Sequence, residues 1–114
     1  MPYKQLKNLV KLSHKVTFYV PSQSENFEAV ENVTDEVART FTDLFGGSTS
    51  TSAIGYWTHV DGRLAKESVT LVFSYAEKLT DASIDAVYNL ALSIKARLGQ
   101  ESIAIEINGE LYFI

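Results

Sequence analysis

The chain has no cysteine among its 114 residues. That one absence removes a disulfide framework, a thiolate metal site and a cysteine nucleophile, and it fits a reducing compartment. Long apolar runs are missing too. No stretch approaches the roughly 20 consecutive apolar residues of a membrane span, and Lys7 and Lys11 interrupt what would have to be the apolar centre of a signal peptide. The expectation is a cytoplasmic protein with no membrane partner.

Catalytic and metal-binding patterns are equally scarce. No Gly-x-Ser-x-Gly elbow is present, and the numerous serines lack a nearby histidine and acid. His14 and His59 are the only histidines, and neither has a second nitrogen or carboxylate at ligand spacing on its own element. Neither a metal, another cofactor nor a catalytic set is expected. Gly46-Gly47-Ser48-Thr49-Ser50-Thr51 could cradle a phosphate, but the lysine of a P-loop is absent and the run follows a helix instead of opening one. It reads as a helix stop and a polar connection.

Basic residues are few outside the first fifteen positions. Lys4, Lys7, Lys11 and Lys15 give that segment +4, which leaves six basic against fourteen acidic side chains, a balance of −8, on the rest of a chain whose net charge is −4. An acidic body repels phosphate backbones, so no nucleic-acid partner is expected. Residues 1–14 read as a basic amphipathic segment, a short helix with Leu6, Leu9, Val10 and Leu12 turned inward and lysines in solvent.

Nearly half the residues are hydrophobic and about a fifth are charged, a globular composition for which one core is the natural solution. Residues 15–114 read as a single α+β domain. Lys15 to Val20 is rich in β-branched and aromatic side chains and is a strand ended by Pro21-Ser22. Apolar residues from Phe27 to Phe45 recur on one helical face, capped by Asn26 or Asn32 and stopped by Gly46-Gly47. A strand from Ala53 to Val60, an Asp61-Gly62 turn and a return strand from Lys66 to Tyr75 make a hairpin. With two residues in the turn, Tyr56 opposes Glu67 and Ile54 opposes Val69. Thr80 caps a second helix, which buries Ile84, Val87, Tyr88, Ala91, Ile94 and Leu98 and ends at Gly99. Asn108-Gly109 joins two last strands, so that Ile105 faces Tyr112, Ile103 faces Ile114, and Ala104 pairs with Phe113.

This order predicts a ferredoxin-like βαββαβ antiparallel sheet with two helices on one face, a further C-terminal hairpin strand and a short N-terminal helix. The other sheet face is left open and carries apolar residues. A homo-oligomer, with a dimer favoured, or docking of the N-terminal helix would cover it.

The central hairpin gathers the candidate ligand-binding residues Tyr56, Trp57, His59, Arg63 and Glu67, which combine aromatic surface with both signs of charge. Glu67, set among apolar neighbours, is the one candidate for acid or base chemistry. Its plainer reading is a carboxylate paired with Tyr56 or Arg63 at the sheet margin, and Trp57 reads equally well as a packing residue.

Phe18-Tyr19-Val20-Pro21-Ser22, Phe45-Gly46-Gly47-Ser48-Thr49, Gly55-Tyr56-Trp57 and the stretches Leu98 to Ser102 and Glu106 to Gly109 together resemble an uncharacterised family of small proteins. The family occurs in Gram-positive bacteria, their phages and mobile elements, and the resemblance spans residues 15–114. It implies context, a phage or mobile-element inhibitor or ligand-sequestering protein, and no functional residue. The functional expectation is a non-enzymatic binding protein acting on a protein partner or small anionic ligand. The alternative is a small cofactor-independent enzyme with a pocket between sheet and helices and Glu67 as acid or base.

Overall fold

Five antiparallel strands and two helices build the domain in a computed structural model that describes residues 3–21 and 27–114, with side chains from residue 32 onward in the first helix. The elements are β1 (His14–Pro21), α1 (Phe27–Phe45), β2 (Thr49–Thr58), β3 (Leu64–Ala76), α2 (Asp81–Leu98), β4 (Ala104–Ile107) and β5 (Glu110–Phe113). Across the sheet the order is β2-β3-β1-β4-β5. Because β1 and β2 flank β3, and β3 and β4 flank β1, each helix crosses between parallel strands with one strand inserted. This interleaving is the ferredoxin-like arrangement that the order of elements predicts.

Alternation along the strands decides which residues meet the helices. Val16, Phe18 and Val20 of β1, Val72 of β3, and Ile105 of β4 with Ile103 just ahead of it are buried against Val33, Val37 and Phe41 of α1 and Val87, Ala91 and Ile94 of α2. The Phe18 and Phe41 rings meet edge to face, 6.2 Å between centroids. α2 is held at both ends: Thr80 and Ser83 exchange capping hydrogen bonds at its start, and Gly99 adopts φ +63° at its stop. For α1, Asn32 lies inside the helix and caps nothing, while Asn26 lies outside the described residues. Gly46, at φ +91°, ends that helix, and the Gly47 carbonyl accepts from Ser74 Oγ at 2.6 Å. The glycine-serine run is thus turn chemistry between α1 and β2.

Three expectations need correction. Residues 4–6 form only a single 3-10 turn, and Leu6, Leu9, Val10 and Leu12 are exposed. The segment stays at the margin of the sheet, where only Leu12 reaches a shallow pocket beside Phe45, Phe73 and Tyr75. Tyr88 is also exposed, because it lies beside the stripe of α2 that packs on the sheet and borders an open cleft toward β5.

The third correction concerns register. The β2–β3 turn has three residues, Val60-Asp61-Gly62, closed by hydrogen bonds from the His59 amide to the Arg63 carbonyl and from the Gly62 amide to the His59 carbonyl, with Gly62 at φ +87°. Asp61 selects this loop: its Oδ1 accepts from the Arg63 amide at 3.0 Å and its Oδ2 from Arg63 Nε at 2.7 Å. The pairing shifts by one, so Glu67 opposes Gly55, Lys66 opposes Tyr56, and Ile54 opposes Ser68. A one-residue shift exchanges the faces of a strand relative to its partner.

Candidate active site on the open sheet face

With the register corrected, the face turned away from the helices carries Gly55 and Trp57 of β2, Glu67, Val69, Leu71 and Phe73 of β3, Thr17 and Tyr19 of β1, and Ala104 and Glu106 of β4. A concavity of about 260 Å3 lies there, walled by Tyr19, Pro21, Val69, Leu71 and Phe113, with Gln100 and Ser102 supplying polar atoms from the loop after α2. Among the described residues Glu67 is the one carboxylate along its lining.

Gly55 makes room for that carboxylate. A Cβ placed on Gly55 would sit 3.6 Å from Glu67 Cγ and 3.8 Å from its Oε1, so the Glu67 side chain lies across the glycine. A methyl at position 55 would meet it at ordinary van der Waals distance, and Glu67 itself is exposed at the edge of the concavity. Beyond Glu67 the surface is mostly apolar, the composition that ligand sites combine with a few polar groups. The Tyr19 phenol is pushed above its ordinary pKa, first by burial and second by the negative charge of Glu106, and stays protonated as a hydrogen-bond donor. Thr17, buried between strands, donates to Glu106 Oε1 at 3.4 Å and fixes the position of that second carboxylate.

The hairpin candidates are only partly brought together. Trp57 shares the open face with Glu67 and stacks at a tilt on His59, 5.6 Å between ring centroids. Tyr56 points to the opposite face, where the Lys66 ammonium stands 5.7 Å from its ring. Arg63 is held by Asp61 at the exposed tip, so its charge serves the turn. Hydrogen bonds from Arg63 also lower the Asp61 pKa. Sequence reasoning places Tyr19 among residues of the open face without making it a site residue, and it does not single out Gln100 or Ser102. For Tyr19 the alternation of β1 was a usable signal; Gln100 and Ser102 are polar loop residues with no pattern of their own.

The expected pocket between sheet and helices does not contain Glu67. A cleft of about 670 Å3 does run between α2 and the β4–β5 hairpin, on the helix side of the sheet. Among the described residues no three His, Asp or Glu side chains cluster as metal ligands, and no helix is long and apolar enough to cross a membrane.

No protein-family profile and no curated protein matches the chain. Among solved structures it is similar to a phage SAM lyase in the apo state, with 18% identity and a TM-score of 0.62 over 90% of this chain and 88% of that one. It is also similar to the phage SAM lyase in complex with S-methyl-5′-thioadenosine, with the same identity and TM-score over 96% of this chain and 94% of that one. A CutA1 variant from Pyrococcus horikoshii OT3 is more distant, at 14% identity and a TM-score of 0.49 over 82% of this chain and 79% of that one.

At these identities the likeness shows the fold. It nonetheless overturns the expectation of a non-enzymatic binding protein. That expectation rested on the lack of a recognisable catalytic set, and an enzyme occupies the same fold, so the lack carries no weight. Of the two readings, the enzyme is the one supported.

Proposed function

We propose that the protein is a small enzyme that cleaves an adenosyl sulfonium, S-adenosylmethionine or a close relative, at a carbon–sulfur bond, with Glu67 as the acid/base residue on the open sheet face. The observation that carries this reading is the Glu67 carboxylate lying across Gly55 in an apolar concavity, on a fold shared with a lyase for that substrate. A sulfonium is its own leaving group. When the bond to the four-carbon amino-acid side breaks, its electron pair passes to sulfur, which becomes the neutral thioether of S-methyl-5′-thioadenosine. Glu67 takes the proton from the adjacent carbon, leaving an unsaturated amino acid, so atoms and charge balance without a metal, an oxidant or water. Before that step the carboxylate attracts the sulfonium cation, and the Tyr19 phenol, kept protonated, is a donor at the other wall.

The concavity is smaller than the ~300–1,000 Å3 of typical small-molecule sites. Self-association through this open face would deepen it and cover Leu111 and Phe113, both exposed. A homo-oligomer is therefore part of the proposal. So are a cytoplasmic setting, where such a substrate is made, and the phage or mobile-element origin that the sequence resemblance implies.

Incubation of purified protein with S-adenosylmethionine, followed chromatographically, should release S-methyl-5′-thioadenosine. Proton NMR then identifies the four-carbon product, since ring closure by the substrate's own carboxylate would give an isomeric lactone without a role for Glu67 as base. Glu67→Gln should lower turnover by about 10²-fold or more with thermal stability unchanged. Full activity in that variant would remove Glu67 from the reaction; no thioether from the native protein would sink the reading.

A further inference from the structure

The larger cleft lies on the helix side of the sheet, away from Glu67, and the proposed reaction makes no use of it. Its floor is Ile105 and Ile107 of β4, and one long wall is the α2 stripe Ile84, Tyr88, Leu92 and Lys95, spaced at three and four residues. Tyr112 of β5 faces that stripe. The core-facing stripe of α2, Val87, Ala91 and Ile94, is fully used against the sheet. The next stripe overhangs β5 with nothing above it among the described residues, which leaves Tyr88 48%, Leu92 40% and Tyr112 47% exposed around a hollow of about 670 Å3.

Charge gives this hollow a direction. Lys95 is half-buried, and among the described residues no carboxylate lies within ion-pair distance of its ammonium. The other basic residue of that helix turn, Arg97, is paired with Glu36 at 2.5 Å. Lys95 stands near the end of α2, which leads into the start of β4. Glu110 stands at the far end of the hairpin, opposite Ile107, and its carboxylate is engaged by the Tyr112 hydroxyl at 2.8 Å. That hydrogen bond raises the Tyr112 pKa, so the phenol stays protonated and leaves the apolar wall uncharged. One end thus offers the Lys95 ammonium, with no ion-pair partner among the described residues and with Ile114 lining the cleft beside it, the middle is apolar, and the opposite end carries an occupied acid.

We propose that this cleft is a binding site for an amphipathic monocarboxylate, its head on the Lys95 ammonium and its apolar body along Tyr88, Leu92, Ile107 and Tyr112. The size admits a medium-length chain or a small ring system, and the acid at the Glu110 end sets the orientation. A carboxylate on a lysine beside apolar walls is recognised by a charge-assisted hydrogen bond plus buried area, so both parts of the ligand are required.

Calorimetric titration of the native protein with decanoate tests the site. One equivalent should bind with a Kd of about 10–100 µM, a value ordinary for a ligand of that size. Lys95→Gln should weaken binding about tenfold with an unchanged melting temperature, Leu92→Asp should abolish it, and Glu67→Gln should leave it unaltered, which separates this site from the proposed reaction. Decanol binding as tightly as decanoate would overturn the proposal. So would unchanged affinity in Lys95→Gln, or no binding by about 1 mM. A fourth overturning result is an oligomer that dissociates on Leu92→Asp and whose native form takes no decanoate, since the cleft would then be an interface between copies.

Discussion

The two hairpins share a turn dipeptide of one kind, an acidic or amide residue followed by glycine, yet close differently. At Asn108-Gly109 both residues take positive φ, +53° and +84°, and the loop has two residues. At Asp61-Gly62 only the glycine does, and Val60 joins the loop. The neighbours make the difference. Asn108 is held by strand β1, its Oδ1 accepting from the Lys15 amide at 3.0 Å and its own amide donating to the Lys15 carbonyl at 2.9 Å. Asp61 has no strand beside it and turns its carboxylate to Arg63 instead. A turn signal therefore specifies that the chain reverses, while the residues around it specify the count and hence which face each side chain takes.

Burial separates the hairpins further, and the largest expected effect uses that. Ile105, 1% exposed, should cost about 2–5 kcal/mol on truncation to alanine. Ile54, 58% exposed, should change stability by no more than about 0.5 kcal/mol. Urea denaturation of the two variants measures both, and equal losses would mean that the β2–β3 arm is covered in solution.

Turn substitutions come next. Gly109→Ala forces a side chain into positive φ and should cost about 1–2 kcal/mol. Gly62→Ala carries the same local penalty but should cost less, because the exposed tip beyond Ala65 can fray without uncovering core. Midpoints at constant denaturant slope give the comparison, and a larger loss at Gly62 would reverse it.

A gentler change sharpens the link from register to site. Gly55→Ala should stabilise β2 by about 0.5–1 kcal/mol, since glycine is costly within a strand. The new methyl would meet Glu67 at ordinary contact distance, so the lyase activity proposed above should be kept while the melting temperature rises. A fall in stability would show that Glu67 cannot yield.

The smallest effect is acidic. Asp61 has its pKa lowered from an ordinary 3.8, mainly by the backbone and side-chain hydrogen bonds from Arg63. A depressed folded-state pKa contributes stability above the unfolded value and loses it as pH falls through the folded one. The hairpin tip should therefore loosen only in the acid range below that ordinary value, while the Asn108 turn, whose bonds to the Lys15 backbone involve no ionisable group, should not loosen in that range. Amide exchange at His59 and Asn108 across an acid titration distinguishes them.

These contrasts also explain what the amino-acid order could convey. Strand and helix identities came from local periodicity, and the α2 caps and the Asn108-Gly109 turn from residue types with one dominant use. Glu67 stood out as a carboxylate among apolar neighbours. Its face did not, because Asp-Gly suits both loop lengths and the deciding contact is made by a side chain two positions on. Tyr19, Gln100 and Ser102 come from a strand and a loop far apart in sequence, and only the packed sheet makes them neighbours of Glu67. The inward turn expected for Leu6, Leu9 and Val10 failed because amphipathic spacing reports a preference without stating whether the chain leads the segment over an apolar surface.

The position of β1 has a consequence for how the chain comes together. As the first strand along the chain it is also the middle of the sheet, paired with Val69 to Ala76 on one side and with Ile105 to Ile107 on the other. Both sets of partners are synthesised long after it. During synthesis Val16, Phe18 and Val20 must wait with two unpaired edges, so the ordered sheet closes only near the end of the chain, and the long loops that must then close make this a slow step. Until β4 arrives, the bare edge of β1 is a template for pairing with other chains, and the lysines before it supply charge at the place where such an edge is most in need of it.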